Sequence, residues 1–77
     1  MAYPIKPGDV VVLAVADYRY GTGRLYLRVN EIVEPVSFSD GDYLFVRGVD
    51  LYQDGTDRCQ RSAYLRLSAL SKAVRRR

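Results

Sequence analysis

A strict alternation of polar and apolar residues over positions 24–29 constrains the fold of this chain more than any other feature. Leu25, Leu27 and Val29 are apolar, and the residues that alternate with them are arginine or tyrosine. A period of two is that of an extended strand with one buried face. The pattern therefore predicts a half-buried β-strand. Its outward face would carry Arg24, Tyr26 and Arg28.

Three further segments have the composition of strands. Residues 9–16 form an apolar run rich in valine, which is typical of a buried strand. Residues 43–52 and 61–67 alternate over shorter stretches, and turn residues separate all of these segments. The turn signals are Tyr20-Gly21-Thr22-Gly23, Asp40-Gly41 and Asp54-Gly55.

Two changes of phase interrupt the alternation, at Asn30-Glu31 and at Gly48. A bulge or bend has this effect, and it helps a small sheet to curl. We therefore predict a mainly β fold, namely a small curled antiparallel sheet or barrel of roughly four to five strands. From Ser68 onward the apolar residues follow a helical spacing, which predicts a short C-terminal helix or tail with Ser68 as its cap.

The length of 77 residues suits one small domain and leaves no room for a second core. We expect residues 1–70 to form this single small β-barrel domain and residues 71–77 to form a basic C-terminal tail. The longest apolar run, residues 10–16, is far shorter than the ~20 residues that span a bilayer, and no signal-peptide pattern precedes it. The expected location is cytoplasmic, with no membrane partner.

The chain has a single cysteine, Cys59. One cysteine excludes an internal disulfide and a multi-cysteine zinc site within one chain. The neighbouring Arg58 and Arg61 could favour the thiolate and make it reactive. The alternative is a partly buried, inert cysteine, because free cysteines are usually buried.

The positive charge is concentrated at the C-terminal end. Lys72, Arg75, Arg76 and Arg77 are 4 of the 12 basic residues, and they lie within the last six positions. Removing these 4 leaves 8 basic residues against 9 acidic ones, so the rest of the chain is nearly neutral. The cationic end is either a solvated tail or an arm that grips phosphate groups.

Histidine is absent, which removes the usual general base and the commonest metal ligand. Asp40 with Asp42, and Asp54 with Asp57, could suggest a metal site, but both pairs flank glycines in turns and lack calcium-loop spacing. Residues 21–24 lack the spacing and the lysine of a phosphate loop, and a hairpin turn fits them better. We therefore expect no enzymatic activity, no metal and no cofactor.

Tyrosine and arginine recur on the inferred outward faces. Besides the strand at 24–29, the last strand contributes Tyr64 and Arg66, and Tyr43 and Arg47 could join them from the strand between. Such a face can stack bases and pair with phosphates, it can anchor a protein partner, or it can simply cover the sheet through cross-strand pairs. The loop Tyr18-Arg19-Tyr20 repeats this chemistry and is expected to protrude.

Residues 8–12 (GDVVV), 26–33 (YLRVNEIV) and 43–49 (YLFVRGV) form three strand-like segments. In pattern, the stretch from roughly residue 8 to residue 67 resembles the bromo-adjacent homology modules and related small Src-homology-3-like barrels. This resemblance implies a module that binds proteins, histone tails or nucleic acids and does not catalyse a reaction.

Two functions stay open on these grounds. The first is a non-enzymatic module that contacts nucleic acid through the Tyr/Arg sheet face and a basic C-terminal arm. The alternative is a protein-protein interaction module or a small self-associating adaptor with no nucleic-acid contact. The candidate binding residues are Tyr18, Arg19, Tyr20, Arg24, Tyr26, Arg28, Tyr64, Arg66, Lys72, Arg75, Arg76 and Arg77.

Overall fold

The predicted strands form one antiparallel sheet in the computed structural model, which describes residues 3–75. The strands are β1 (Val10–Leu13), β2 (Leu25–Phe38), β3 (Gly41–Leu51), β4 (Asp57–Arg66) and β5 (Val74–Arg75). Their spatial order is β4-β3-β2-β1-β5, and within the described residues the outer strands β4 and β5 do not pair with each other. The mainly β prediction is confirmed, and the sheet is open rather than closed into a barrel.

Several strand boundaries differ from those that the sequence predicts. β1 ends early because the chain enters a 3-10 turn at Val15–Asp17. β4 begins four residues before the predicted start at position 61, in a polar stretch where no apolar alternation marks it. β2 runs through Pro35. Because β1 pairs only with residues 25–28 of β2, the missing N–H of this proline can face the unpaired side of β2.

The bulge predicted at Asn30 is present on β2. The bulge predicted at Gly48 is absent, because β3 is regular at that residue. The register of β2 against β3 shifts between Val29 and Glu31, and Gly48 lies directly opposite Val29. A β-carbon at Gly48 would overlap the carbonyl oxygen of Arg28. Gly48 is therefore needed because the neighbouring strand approaches closely, and the irregularity itself belongs to β2.

One face of the sheet forms the core. The apolar residues of β2 are buried there as predicted, together with those of β1, β3 and β4. These strand residues are Val11, Leu13, Leu25, Leu27, Val29, Leu44, Val46, Ala63 and Leu65. Ile5, Tyr18, Leu70 and Ala73 cover them from outside the strands. Each fully buried leucine or valine stabilises such a core by about 1.5–3 kcal/mol relative to exposure.

The C-terminal segment returns to the sheet. A 3-10 turn at Leu67–Ala69 leads into α1 (Leu70–Ala73), and β5 then pairs with β1. Ser68 makes no capping hydrogen bond, so the predicted cap is wrong. The expected end of the body after residue 70 falls at the start of α1, and Arg76 and Arg77 lie outside the described residues.

Arg75 therefore belongs to a strand and not to the short C-terminal helix or basic tail that the sequence predicts. The physical reason is that Leu70 and Ala73 are buried and Val74 packs on the core, which draws the chain onto the edge of β1. Among residues 3–75, no helix has the length and apolar character that crossing a membrane requires.

Candidate functional site

The sheet face that points away from the core carries the predicted tyrosines and arginines in two separate groups. Tyr64 lies opposite Phe45 near the middle of β3, and Arg28 lies opposite Val49 near the C-terminal end of β3. Phe45 and Val49 are four residues apart, which corresponds to about 13 Å along a strand. The continuous Tyr/Arg face that the sequence suggests is thus divided in two.

We call the first group the aromatic patch. Its rings are Tyr20, Phe38, Tyr43, Phe45 and Tyr64. The ring centroids of Phe38 lie 5.2 Å from Tyr43 and 5.3 Å from Tyr64, both in edge contacts, and Phe45 lies 4.6 Å from Tyr64. Tyr43 is only 1% exposed. The patch therefore acts as a small second core on the outward face.

The arginines of the aromatic patch are held by one carboxylate. Asp40 accepts a hydrogen bond from the Tyr43 hydroxyl at 2.9 Å and pairs with Arg19 at 3.0 Å and with Arg66 at 3.4 Å. The Arg19 guanidinium also lies 4.0 Å from the centroid of the Phe38 ring. The Tyr43 hydrogen bond, followed by the charge of Arg19, lowers the pKa of Asp40. The polar side chains of the patch therefore bond mainly to one another.

The loop at residues 18–20 does not protrude as a whole. Tyr18 is buried in the core, and its hydroxyl donates to the carbonyl oxygen of Gly23. Arg19 turns toward the aromatic patch. Tyr20 alone points outward, with 76% of its surface exposed. The prediction of a protruding Tyr-Arg-Tyr loop is thus wrong for two of its three residues, because Tyr18 fills the core and Arg19 finds Asp40.

The second group centres on β1. Val10 lies directly opposite Arg28 on one side and Arg75 on the other. Residues directly opposite one another in antiparallel strands project from the same face. Arg28 and Arg75 therefore flank Val10, and together with Lys6 they line a depression of about 670 Å³. Asp9 lines it too, but its carboxylate accepts the backbone N–H of Lys6 and is largely buried.

A second row continues this group. Val12 lies opposite Tyr26 and, with Lys72 of α1, lines a smaller depression of about 210 Å³. Four of the predicted site residues are thus brought around β1, although they come from distant parts of the chain. We call this group the cationic strip. It consists of Lys6, Val10, Val12, Tyr26, Arg28, Lys72 and Arg75.

The two groups differ in how their charges are compensated. Elsewhere on the sheet, Arg58 and Arg61 both pair with Asp50 at 3.2 Å, and Arg47 lies 3.7 Å from Glu31. In the strip, Arg28 forms a two-point pair with Asp57 at 3.0 and 3.1 Å, which lowers the pKa of that carboxyl. Within residues 3–75, no carboxylate lies within 4 Å of the basic groups of the other strip cations or of Arg24. Those strip cations are Lys6, Lys72 and Arg75.

Two placements were not accessible to sequence reasoning. Lys6 lines the same depression as Arg28 and Arg75 because the segment before β1 is hydrogen-bonded to Val29 of β2, and no local pattern indicates this. Arg24 is exposed at the entry to β2 and belongs to neither group.

Cys59 is exposed on the edge strand β4, so the partly buried position favoured for it is wrong.

The acidic turn residues act within their turns. Asp54 accepts the backbone N–H of Thr56 at 3.0 Å and its hydroxyl at 2.7 Å, and these bonds lower the pKa of Asp54. Asp42 accepts the hydroxyl of Ser37 at 2.8 Å. In the part of the chain that the structure describes, no three cysteine or carboxylate side chains converge as a metal site would require.

No protein family, curated protein or solved structure matches the chain. The resemblance to Src-homology-3-like barrels therefore stays a prediction. Fold and site together define an open five-stranded sheet with an apolar core face and an outward face divided between an aromatic patch and a cationic strip. The function has to be inferred from the chemistry of that outward face.

Proposed function

We propose that this protein is a non-enzymatic module that binds nucleic acid, with the cationic strip as its phosphate contact. One observation carries the proposal: β5 sets Arg75 beside Val10, and Val10 lies beside Arg28. The basic C-terminal end thus starts on the same face of the sheet as the outward residues of β2. A shared side is the condition under which the tail and the sheet can contact one ligand.

The chemistry of the strip supports this function. Lys6, Lys72 and Arg75 offer charges that no described carboxylate holds within 4 Å, and Arg76 and Arg77 follow directly in the sequence. When lysine and arginine neutralise phosphates, the counterions condensed on the nucleic acid are released. This release supplies affinity for nucleic acid that does not depend on its sequence. Tyr26 adds a half-buried ring to the same face, and such rings can stack on bases.

The salt dependence of binding tests the proposal. Truncation at Ser71 would be a poor test, because it removes the buried Ala73 and the whole of β5. A variant with Arg75→Gln, Arg76→Gln and Arg77→Gln keeps the chain length. If each arginine neutralises one phosphate, the slope of log affinity against log salt should become shallower by about 2–3. Fluorescence anisotropy of labelled oligonucleotides at several salt concentrations measures this slope.

Arg58→Gln is the matched control for a lost charge. Arg58 pairs with Asp50, which lies on the core side of β3 and keeps Arg61 as a second partner. This variant should leave the slope unchanged. Because the triple variant removes three charges and the control removes one, an equal change in slope per removed charge would reject the strip as the contact. The absence of binding at low salt would reject the function.

The alternative of a self-associating protein module rests on one feature, the exposed stretch 57–60 of the edge strand β4. An uncovered edge can pair with a second chain. However, Arg58 and Arg61 and the register shift beside Asp50 are features that discourage such pairing. We therefore expect a monomer over a wide concentration range in sedimentation experiments. Dimerisation through β4 would favour the alternative.

A further inference from the structure

Packing does not account for the tyrosine at position 20. The residue is 76% exposed and has a backbone φ of 61°, in the left-handed region that residues with a β-carbon rarely adopt. Its contact with another ring is an edge contact with Tyr64, at 6.3 Å between centroids. Glycine or asparagine would adopt this conformation more easily. A strained, exposed aromatic residue is an observation from which a function can be inferred.

The loop around Tyr20 is fixed by its neighbours. A β-carbon at Gly21 would overlap the buried ring of Tyr18, so the chain passes directly over that ring. The Tyr18 hydroxyl donates to the carbonyl oxygen of Gly23. On the other side, the backbone N–H of Arg19 donates to the carbonyl oxygen of Tyr64 at 3.1 Å. The backbone that carries the exposed ring is therefore held in place before any ligand binds, which lowers the entropy cost of binding.

One side of this ring is backed by a cation. The guanidinium carbon of Arg19 lies 5.4 Å from the centroid of the Tyr20 ring. Since most of the residue is still exposed, an aromatic surface stays open on the other side. Arg19 and Arg66 share the single carboxylate of Asp40, which leaves an excess of positive charge beside the ring. A flat ring next to positive charge complements a nucleobase that is attached to phosphates.

We propose that Tyr20 is a stacking platform for an unpaired nucleobase, so that the preferred ligand of this protein is a single-stranded nucleic acid. This inference rests on the proposed function and specifies its ligand. Tyr43, a ring of the patch, and Val49, beside Arg28, are six residues apart on β3, which corresponds to about 20 Å. A flexible single strand can contact both groups, whereas a duplex keeps its bases paired and stacked inside.

A Tyr20→Trp variant tests the contact directly. The chain contains no tryptophan, so this residue would be the sole source of tryptophan emission. We expect a 12-nucleotide single strand to quench this emission and a duplex of the same sequence to leave it nearly unchanged. Tyr52→Trp is the control, because Tyr52 is also an exposed tyrosine, at the opposite end of β3. Tyr52 directly follows Leu51, which lines the larger depression of the cationic strip, so its emission should respond to single strand and duplex alike.

Affinity gives the second readout. Tyr20→Ala should weaken single-strand binding by about 5- to 150-fold and leave duplex binding nearly unchanged, while Tyr20→Phe should bind like the unmodified protein. Tyr52→Ala should have little effect. The thermal midpoint of Tyr20→Ala, followed by circular dichroism, should stay close to that of the unmodified protein because the ring is mostly exposed.

The outcomes separate this inference from the proposed function. If Tyr20→Ala and Tyr52→Ala bind single strands equally well while the arginine variants still change the salt slope, the stacking platform is wrong and the cationic strip stands. Quenching of Tyr20→Trp by duplex as much as by single strand would also overturn the platform. If the emission of Tyr20→Trp is quenched by raising the protein concentration and not by nucleic acid, the side chain at position 20 contacts a second copy of the chain and the platform is wrong. If neither form of nucleic acid binds, both proposals fail.

Discussion

The aromatic patch and the cationic strip lie on one face of one sheet and both contain tyrosine and arginine, yet they differ in how far the charge of arginine is compensated. In the patch, Arg19 and Arg66 both pair with Asp40 and lie against aromatic rings. In the strip, no carboxylate of residues 3–75 lies within 4 Å of the Arg75 guanidinium, whereas the Arg28 guanidinium pairs with the exposed carboxylate of Asp57.

The difference teaches that outward tyrosine and arginine do not by themselves indicate a binding surface. The turn between β2 and β3 supplies Asp40 at the centre of the patch, and the rings then exclude water from Tyr43. Apart from the exposed Tyr20, the residues of the patch stabilise the fold. Beside β1, Asp9 is largely buried against the backbone of Lys6, and Asp57 holds Arg28. No described carboxylate lies within 4 Å of the basic groups of Lys6, Lys72 or Arg75, so these three cations stay available to a phosphate.

The largest expected effect is a loss of stability from the patch. Tyr43→Ala removes a ring that is 1% exposed, its edge contact with Phe38 and its hydrogen bond to Asp40. We expect the free energy of unfolding to fall by about 3–5 kcal/mol. In the strip, Tyr26→Ala should cost about 1 kcal/mol or less, because that ring is only partly buried. Urea denaturation followed by circular dichroism measures both.

Tyr43→Phe keeps the folded state measurable if the alanine variant does not fold. It retains the ring and loses the hydroxyl, for an expected cost of about 1 kcal/mol. Equal costs for the alanine variants at positions 43 and 26 would show that the patch is not a second core, and the comparison between the two regions would fail.

A smaller effect concerns the carboxylate that holds Arg28. Asp57→Asn removes the charge of an exposed ion pair, so stability should change by less than about 1 kcal/mol. Nucleic-acid binding should become tighter, and the salt slope should steepen by about 0.7–0.9 if the freed guanidinium neutralises one phosphate. Asp54→Asn is the control, because it removes the same charge from the turn that precedes β4, where the acid holds Thr56 and no arginine. Equal effects of the two variants would argue against a specific role for Arg28.

The smallest effect is on the titration of Asp40. Its pKa in the folded protein lies below its ordinary value of 3.8, chiefly because the Tyr43 hydroxyl donates to it and secondarily because Arg19 is close. A lowered carboxyl pKa stabilises the fold above pH 3.8, and this contribution is lost as the pH falls through the lower folded value. Tyr43→Phe should therefore raise the pKa of Asp40 toward 3.8, and Arg66→Gln should raise it less.

Carboxyl chemical shifts followed by NMR during an acid titration measure this pKa in each variant. The Arg66→Gln protein is the internal comparison, since it removes a charge and leaves the phenol hydrogen bond in place. A larger rise in Arg66→Gln than in Tyr43→Phe would mean that charge, and not the hydrogen bond, controls Asp40.

Local periodicity predicted the assignment of residues to faces well. The alternation over 24–29 correctly buries Leu25, Leu27 and Val29, and the change of phase at Asn30 correctly marks a bulge. The helix was predicted less well. Only four residues, Leu70–Ala73, are α-helical, because the chain then extends to pair with β1.

The candidate site was predictable in its residue types and not in its grouping. Period-two alternation states that Tyr26, Arg28, Tyr64 and Arg66 are outward, but it carries no information on cross-strand register. In the structure, Arg66 lies opposite Tyr43, at one end of β3, and Arg28 lies opposite Val49, near the other. The pairing of Asp40 with Arg19 and Arg66 could not be assigned, because these residues are distant in sequence. The same holds for the position of Lys6 beside Arg28 and Arg75.

The sequence by itself determined that this is a small β-rich chain with one apolar face and an outward face of tyrosine and arginine, because side-chain alternation is a local property of each strand. Only the tertiary structure decided which arginines are neutralised and which are available. It did so through the strand order β4-β3-β2-β1-β5, which sets Arg75 beside β1 and brings Arg19 and Arg66 to Asp40. Ion pairing depends on distances of a few ångströms between residues far apart in the chain, and packing alone fixes those distances.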